Sequence, residues 1–397
     1  MLSLKHPELN QILSSLPVGL LTARTDENKL ILILKLSKEM ILAAKITRGF
    51  RISFVPYSVN DKNHHALLVL FPDNFEEPLS LVHSFYENLE SRELLELFNQ
   101  DTFQSYFFDE HNRELLACNS FLPNLEQFRN LATELNPGQE SDHPTSMTFE
   151  EVNEWYSDAP DNNASNTFEV TFSSDVYPAI THFIDSTQAF SPMPGDLSFV
   201  HYSLERTEPG DQQELDILLL LKKIIPDADF YLNPVRTDTK KEFVDVLAAN
   251  DSHLLFVQAK DSPNTENLLR TSIPRKASKT LAHLKKAVEQ MKGAFNHYKK
   301  NPALKFSGEQ KECVVDVGER EVLGLIVVKE LFAEDAEKYW EAIESIFAIT
   351  GMCCLIVDYT ELHLYSNETN ADSFFPTLEF LHANMMKKKQ FIRARFN

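Results

Sequence analysis

The chain is 397 residues long, 43% hydrophobic and 24% charged, with a formal net charge of −21. That length predicts two domains rather than one core, and the balance of apolar and charged residues is that of a globular chain. The charge excludes a uniformly basic nucleic-acid binder, and apolar runs as short as Ile217 to Leu221 or Met352 to Val357 exclude a membrane-spanning helix, which needs roughly 18–20 such residues.

In chain order, the opening segment Met1-Leu2-Ser3-Leu4-Lys5-His6 has no basic stretch followed by an apolar one, so no secretory leader is expected. Residues 1–136 predict an α+β domain that recognises substrate, a protein partner or a second copy of the chain. Val18 to Leu21 and Leu30 to Leu36 flank the turn residues Thr25-Asp26-Glu27-Asn28, a hairpin signature. Arg51 to Val55, Ala66 to Phe71 and Gln104 to Phe108 read as further strands. Leu79 to Phe98 and Leu125 to Leu135 have helical periodicity. Four cysteines (Cys118, Cys313, Cys353, Cys354) show no CxxC spacing, and a reducing cytoplasm is the expected compartment.

Residues 137–204 predict an acidic connecting segment. From Asn136 to about Thr167 the composition turns to Pro, Gly, Asn, Ser and Asp. Between Arg129 and Arg206 there are 13 acidic residues and no Lys or Arg. Such a run is expected to be a solvated spacer; a phosphate mimic lying over a basic surface is the other reading.

Residues 205–397 predict an α/β domain with a mixed sheet flanked by helices. Asp211 to Ile225 is a helix stopped by Pro226, and Phe230 to Val235 is a strand. Phe243 to Leu247 and Leu254 to Ala259 form a hairpin around Asn250-Asp251-Ser252. Ser278 to Tyr298 is a long helix, followed by a strand at Val322 to Val328, a helix at Ala336 to Ala348 and a strand at Cys353 to Val357. The basic charge gathers here: residues 260–305 hold 11 basic and 3 acidic residues.

One constellation in this half carries chemistry. Gln258-Ala259-Lys260 closes an apolar strand, and alternation places Gln258 and Lys260 on one face. Thirteen residues before Gln258, Asp245 interrupts the other strand of the hairpin. Glu27-Asn28-Lys29 and Glu309-Gln310-Lys311 share the spacing but sit in polar turns, and Gln290-Met291-Lys292 sits in mid-helix. A carboxylate and an amide oxygen suit Mg²⁺ or Mn²⁺, which polarises a phosphoryl oxygen and acidifies an attacking water. A lysine two residues on stabilises the charge that develops. Glu214, on the preceding helix, is the candidate further ligand, with Asp216 the second choice.

Glu214, Asp245 and the terminal Gln258-Ala259-Lys260 resemble the PD-(D/E)XK, or restriction-endonuclease-like, nucleases. The QxK form is most similar to Mrr-type enzymes, and the resemblance spans roughly residues 205–360. It implies a restriction-endonuclease-like core, Mg²⁺- or Mn²⁺-dependent cleavage of nucleic acid (DNA first), and a setting in bacterial restriction or anti-phage defence. Val244 stands where the motif's proline would be. A nuclease-like fold without catalysis, serving as a binding or assembly subunit, is the alternative reading.

The long helix adds a phosphate-binding candidate. Leu281, Leu284, Val288, Met291, Phe295 and Tyr298 form one apolar stripe. Lys285, Lys292 and Lys299 form a row beside it, and Lys279, Lys286 and Lys300 another, suited to a phosphate backbone. Lys387-Lys388-Lys389 with Arg393 and Arg395 is a second cationic candidate. His64, His65, His111 and His143 lack metal-ligand spacing. With ten glycines and no GxxxxGK[ST], GxGxxG or GxSxG, no nucleotide-cradling loop is expected.

Overall fold

The computed structural model describes residues 1–16, 18–59, 62–73, 78–83, 85–138, 166–178, 183–190, 198–207, 210–307 and 312–394. The chain divides into two compact units. One holds Met1–Thr181, Ser203–Glu205 and Asn264–Arg270; the other holds His182–Tyr202, Arg206–Pro263 and Thr271–Asn397.

The first unit is built on an eight-stranded sheet ordered β1-β2-β6-β7-β8-β3-β4-β5. In chain order its elements are α1 (Leu2–Lys5), α2 (Leu9–Ser15), β1 (Gly19–Arg24), β2 (Leu30–Lys35), α3 (Lys38–Thr47), β3 (Gly49–Val59), β4 (Lys62–Phe71), β5 (Leu79–His83), α4 (Leu89–Phe98), β6 (Phe103–Phe108), β7 (Glu114–Phe121), α5 (Leu125–Ala132) and β8 (Thr167–Asp175). β1 and β2 form the expected hairpin, turned by Asn28 at φ 58°. Asparagine tolerates that left-handed conformation better than most residues.

Two expectations give way in this unit. The helical reading of Leu79 to Phe98 holds only from the Asn88 cap, whose side chain accepts from Ser91 N at 3.0 Å. Leu79–His83 instead extends the sheet edge, paired antiparallel with β4. The other concerns β8, which falls within the stretch read as a connector. It lies between β7 and β3, antiparallel to both. The alternation of Phe168, Val170 and Phe172, all buried, supplies the inward face. Gly49 is required beside it, because a Cβ there would lie 2.2 Å from Val170 O. Residues 139–165, the core of the acidic run, lie outside the described residues.

The second unit carries β9 (Phe183–Phe190) and β10 (Ser198–Tyr202) as an antiparallel pair. Then come α6 (Gly210–Ile224), β11 (Asp229–Leu232), β12 (Val235–Arg236), β13 (Val246–Ala249), β14 (His253–Lys260), α7 (Ile273–Lys300), β15 (Ala303–Ser307), β16 (Glu312–Asp316), β17 (Glu321–Val328), α8 (Ala336–Thr350), β18 (Cys353–Asp358), α9 (Tyr359–Glu368) and α10 (Ala371–Lys388). The main sheet is mixed and ordered β11-β13-β14-β17-β18; β12, β15 and β16 form a smaller one. The first three strands of the main sheet meander antiparallel, and β14, β17 and β18 run parallel.

β14 and β17 are buried on both faces, as their near-continuous apolar runs require. α7 begins five residues earlier than periodicity suggests and lays Leu284, Val288, Met291 and Phe295 into the core. Gly324 of β17 admits that helix closely: a Cβ there would be 2.9 Å from Phe295 and from Cys354 Sγ. No helix among the described residues is long and apolar enough to cross a membrane.

Candidate active site

The strand end that carries Gln258 and Lys260 gathers the acids of the second unit. Asp245 sits just before β13. Its backbone N donates to Val257 O at 3.1 Å and its carbonyl accepts from Asn233 N at 2.8 Å, so the hairpin ladder fixes it. Its carboxylate turns across to β14. Oδ2 accepts from Ala259 N at 2.5 Å and from Lys260 Nζ at 3.2 Å. Lys260 Nζ also reaches Gln258 Oε1 at 3.5 Å and Ala259 O at 2.8 Å. Asp245 and Gln258 are buried, at 3% and 1% exposure. The Lys260 side chain, at 19%, is the member that meets solvent.

Glu214 of α6 joins through an intermediary. Asn233, in the turn between β11 and β12 at φ 47°, donates from Nδ2 to Glu214 Oε2 at 2.8 Å. Asn233 thus links Glu214 by its side chain to Asp245 by its backbone. Asp216, the second choice, goes elsewhere: its carboxylate meets Arg206 at 3.1 Å, and both are buried. The two-residue step of helix from 214 to 216 swings the two side chains about 200° apart.

A fourth acid escapes sequence reasoning. Glu242 is an exposed residue, but desolvation of its carboxyl beside the cluster, a hydrogen bond to Asp245, and the charges of Asp245 and Glu214 push it up to about 8, against the opposing pull of Lys260. Residues 237–245 form no regular strand, and Lys240 has φ 57°. An isolated bridge, Val235 to Glu242, and the backbone hydrogen bonds Arg236 N to Lys241 O, Lys240 N to Arg236 O and Phe243 N to Pro234 O hold this turn. Strand alternation counted back from Asp245 therefore does not apply, and Lys240-Lys241-Glu242 reads as a solvated loop. The only usable hint is an acid three residues before another at the mouth of an apolar strand.

Asp245 and the Gln258 amide oxygen thus face Lys260, with Glu242 hydrogen-bonded to Asp245 and Glu214 reached through Asn233. Crowded like charges disfavour ionisation unless a cation joins them. The donor set is all oxygen, which fits Mg²⁺ or Mn²⁺ and not a thiolate- or imidazole-seeking ion. Asp245, Glu214 and Gln258 Oε1 would hold the ion, with Glu242 beside them.

The helix lysines divide into two sets. Lys285 and Lys286, with Lys260, Glu289 and Gln290, line an open groove of about 640 Å³. His283 lies among them: burial, then the charges of Lys286, Lys260 and Lys279, lowers its pKa. Lys260, Lys279, Lys285 and Lys286 therefore form one positive patch leading from the acids. Lys292 and Lys299 do other work. Lys292 Nζ meets Glu289 at 3.0 Å, and Lys299 Nζ donates to Thr350 O at the C-terminus of α8. A helix C-terminus presents unpaired carbonyls and partial negative charge, so it attracts such a lysine.

Comparison of the chain with protein-family models, with curated proteins and with solved structures finds no match. The residues themselves therefore carry the functional argument.

The remaining candidates lie away from this cluster or outside the described residues. Arg393 pairs with Asp358 and with Glu361, the latter at 3.3 Å. Lys387 and Lys388 close α10. His64 is buried beside Tyr57, and His65 Nδ1 accepts from Asn136 N at 3.1 Å. His111 N donates to Asp109 in a local turn. Arg395 and His143 lie outside the described residues.

Proposed function

We propose that the second unit is a metal-dependent endonuclease with a restriction-endonuclease-like core, hydrolysing phosphodiester bonds of nucleic acid, DNA first. The observation that carries this reading is Lys260 Nζ lying 3.2 Å from Asp245 Oδ2 and 3.5 Å from Gln258 Oε1, with Glu214 aligned by Asn233. The order of helix, antiparallel strands, helix and parallel strand supports the core assignment.

The division of labour follows from placement. Bound Mg²⁺ or Mn²⁺ supplies Lewis acidity and an acidified water. Asp245, Glu214 and Gln258 would hold it. Lys260, partly solvent-facing and next to the carboxylates, orients the nucleophile and offsets charge developing on the phosphoryl oxygens. Lys285, Lys286 and Lys279 seat the flanking backbone phosphates. Glu242, which holds its proton in the metal-free cluster, would join the ligand set when the ion displaces that proton. By resemblance, the setting is bacterial restriction or anti-phage defence, with the first unit recognising a partner, a trigger or a second copy.

The test is nicking of supercoiled plasmid by the full chain with Mg²⁺ or Mn²⁺, and its loss in EDTA. Asp245→Ala, shown folded by circular dichroism, should be inactive, and Lys260→Ala should be slowed by about 10²–10³-fold or more. Undiminished nicking by Asp245→Ala, or no cleavage of plasmid or RNA with either ion, refutes the proposal.

A further inference from the structure

At the other end of β14 from Lys260, a second donor set converges. His253 opens β14 and Glu321 opens β17, and the two are register partners in the parallel pair. Partners in register project from the same face of a sheet. α10 passes this edge with Phe375 and Glu379, which one helical turn places on the same side. Phe375 stacks on the His253 imidazole, centroids 4.0 Å apart and planes 1° from parallel. One donor atom each from His253, Glu321 and Glu379 then lie within 4.8 Å of one another.

The imidazole is held in place before any ion arrives. Nδ1 shares a 2.7 Å hydrogen bond with Ser252 Oγ, and Nε2 faces Glu321 Oε2 at 3.8 Å. An orienting hydrogen bond on the second ring nitrogen is the usual support for a metal-binding histidine. Glu379 lies in side-chain hydrogen-bond contact with Glu321. Two carboxylates in hydrogen-bond contact share either a proton or a cation.

We propose that His253, Glu321 and Glu379 bind one zinc ion that ties α10 to the leading ends of β14 and β17, with water completing the shell. One imidazole and two carboxylates are a zinc donor set, and the imidazole discriminates against Mg²⁺ and Ca²⁺. Donors around tetrahedral zinc lie about 3.3 Å apart at bond lengths of about 2.0–2.2 Å. The present spacing needs a closing movement on the order of 1 Å, which the exposed glutamates supply by rotamer change. The eight residues of β14 separate this site from Lys260 by about 23 Å, so it is distinct from the oxygen-donor cluster and does not depend on the nuclease reading.

The experiment uses the full chain carrying Asp245→Ala, which removes the central ligand of the other cluster. Titration with Co²⁺ should give visible absorption bands saturating at one equivalent, displaced by Zn²⁺, and Zn²⁺ should raise the melting temperature. Adding Glu321→Gln and Glu379→Gln should weaken Zn²⁺ binding at least tenfold and abolish the thermal shift. No stoichiometric uptake by the Asp245→Ala chain, or unchanged affinity after the two substitutions, overturns the proposal. Should the glutamine variants fail to fold, X-ray absorption on the zinc-loaded natural chain decides. One imidazole among oxygens supports the site, and a shell without imidazole overturns it.

Discussion

The two sets of helix lysines should differ when salt is varied. Lys285 and Lys286 line the groove with Lys260, whereas Lys292 meets Glu289 and Lys299 donates to Thr350 O. Each phosphate contact on duplex DNA contributes a slope of about −0.9 to log K against log salt. Replacing Lys285 and Lys286 by Gln should therefore flatten the slope by about 1.8, two contacts' worth. Between 50 and 200 mM salt, that removes a factor of about 12 from the loss of affinity. Replacing Lys292 and Lys299 should change the slope by less than about 0.5, since both are already engaged within the protein. Fluorescence anisotropy with a labelled duplex reads this directly, in an Asp245→Ala background that prevents cleavage. Equal slopes for the Lys285/Lys286 pair and its parent would show that the groove does not seat phosphates. A large change from the Lys292/Lys299 pair would show that the lysine placement described here is not the one DNA meets.

Lys260→Ala should lower the nicking rate by about 10²–10³-fold or more, the usual cost of removing a transition-state charge donor, with metal-induced thermal stabilisation retained. Gln258→Glu adds a carboxylate beside Asp245 and Glu242; without metal it should melt lower, with Mg²⁺ it should gain more, and a smaller gain would place Gln258 outside the ligand set. The raised Glu242 carboxyl has a definite sign. Between its unfolded pKa near 4.5 and about 8 the folded state binds the extra proton, so stability of the metal-free chain falls as pH rises through that window. Glu242→Gln should flatten that fall in thermal melts, and an unaltered pH profile would remove Glu242 from the cluster. Lys299→Met deletes the donor to the end of α8 and should cost about 0.5–1.5 kcal/mol in urea unfolding without altering nicking.

Much of the core hairpin was legible because its information is local. Period-two alternation places Gln258 and Lys260 on one face, and apolar strands on either side of Asn250-Asp251-Ser252 bring Asp245 opposite. Glu242 was not legible, because it enters by a turn that obeys no period. The choice between Glu214 and Asp216 turned on Arg206, ten residues away and outside the helix that carries them. β8 was masked by the composition around it, although Phe168, Val170 and Phe172 alternate clearly. The lysine row is divided by the fold for a related reason: helical spacing shows which residues share a face, but not that the end of α8 waits beside Lys299.

The unequal neighbours of β14 bear on how the chain acquires its structure. Leu247 of β13 pairs with Phe256 only nine positions later, whereas Phe256 pairs on its other side with Gly324, sixty-eight positions on. Closing the longer loop costs about 1.8 kcal/mol more in chain entropy, and long-range parallel pairing is correspondingly slow. Glu214, Asn233, Glu242, Asp245, Gln258 and Lys260 all precede that closure in the order of synthesis. The acids are thus assembled by the early, local part of the fold, while the groove lysines on α7 and the β17 partner arrive later. Newly made chains would pass through a stage in which the carboxylates are gathered but the phosphate-seating surface is absent.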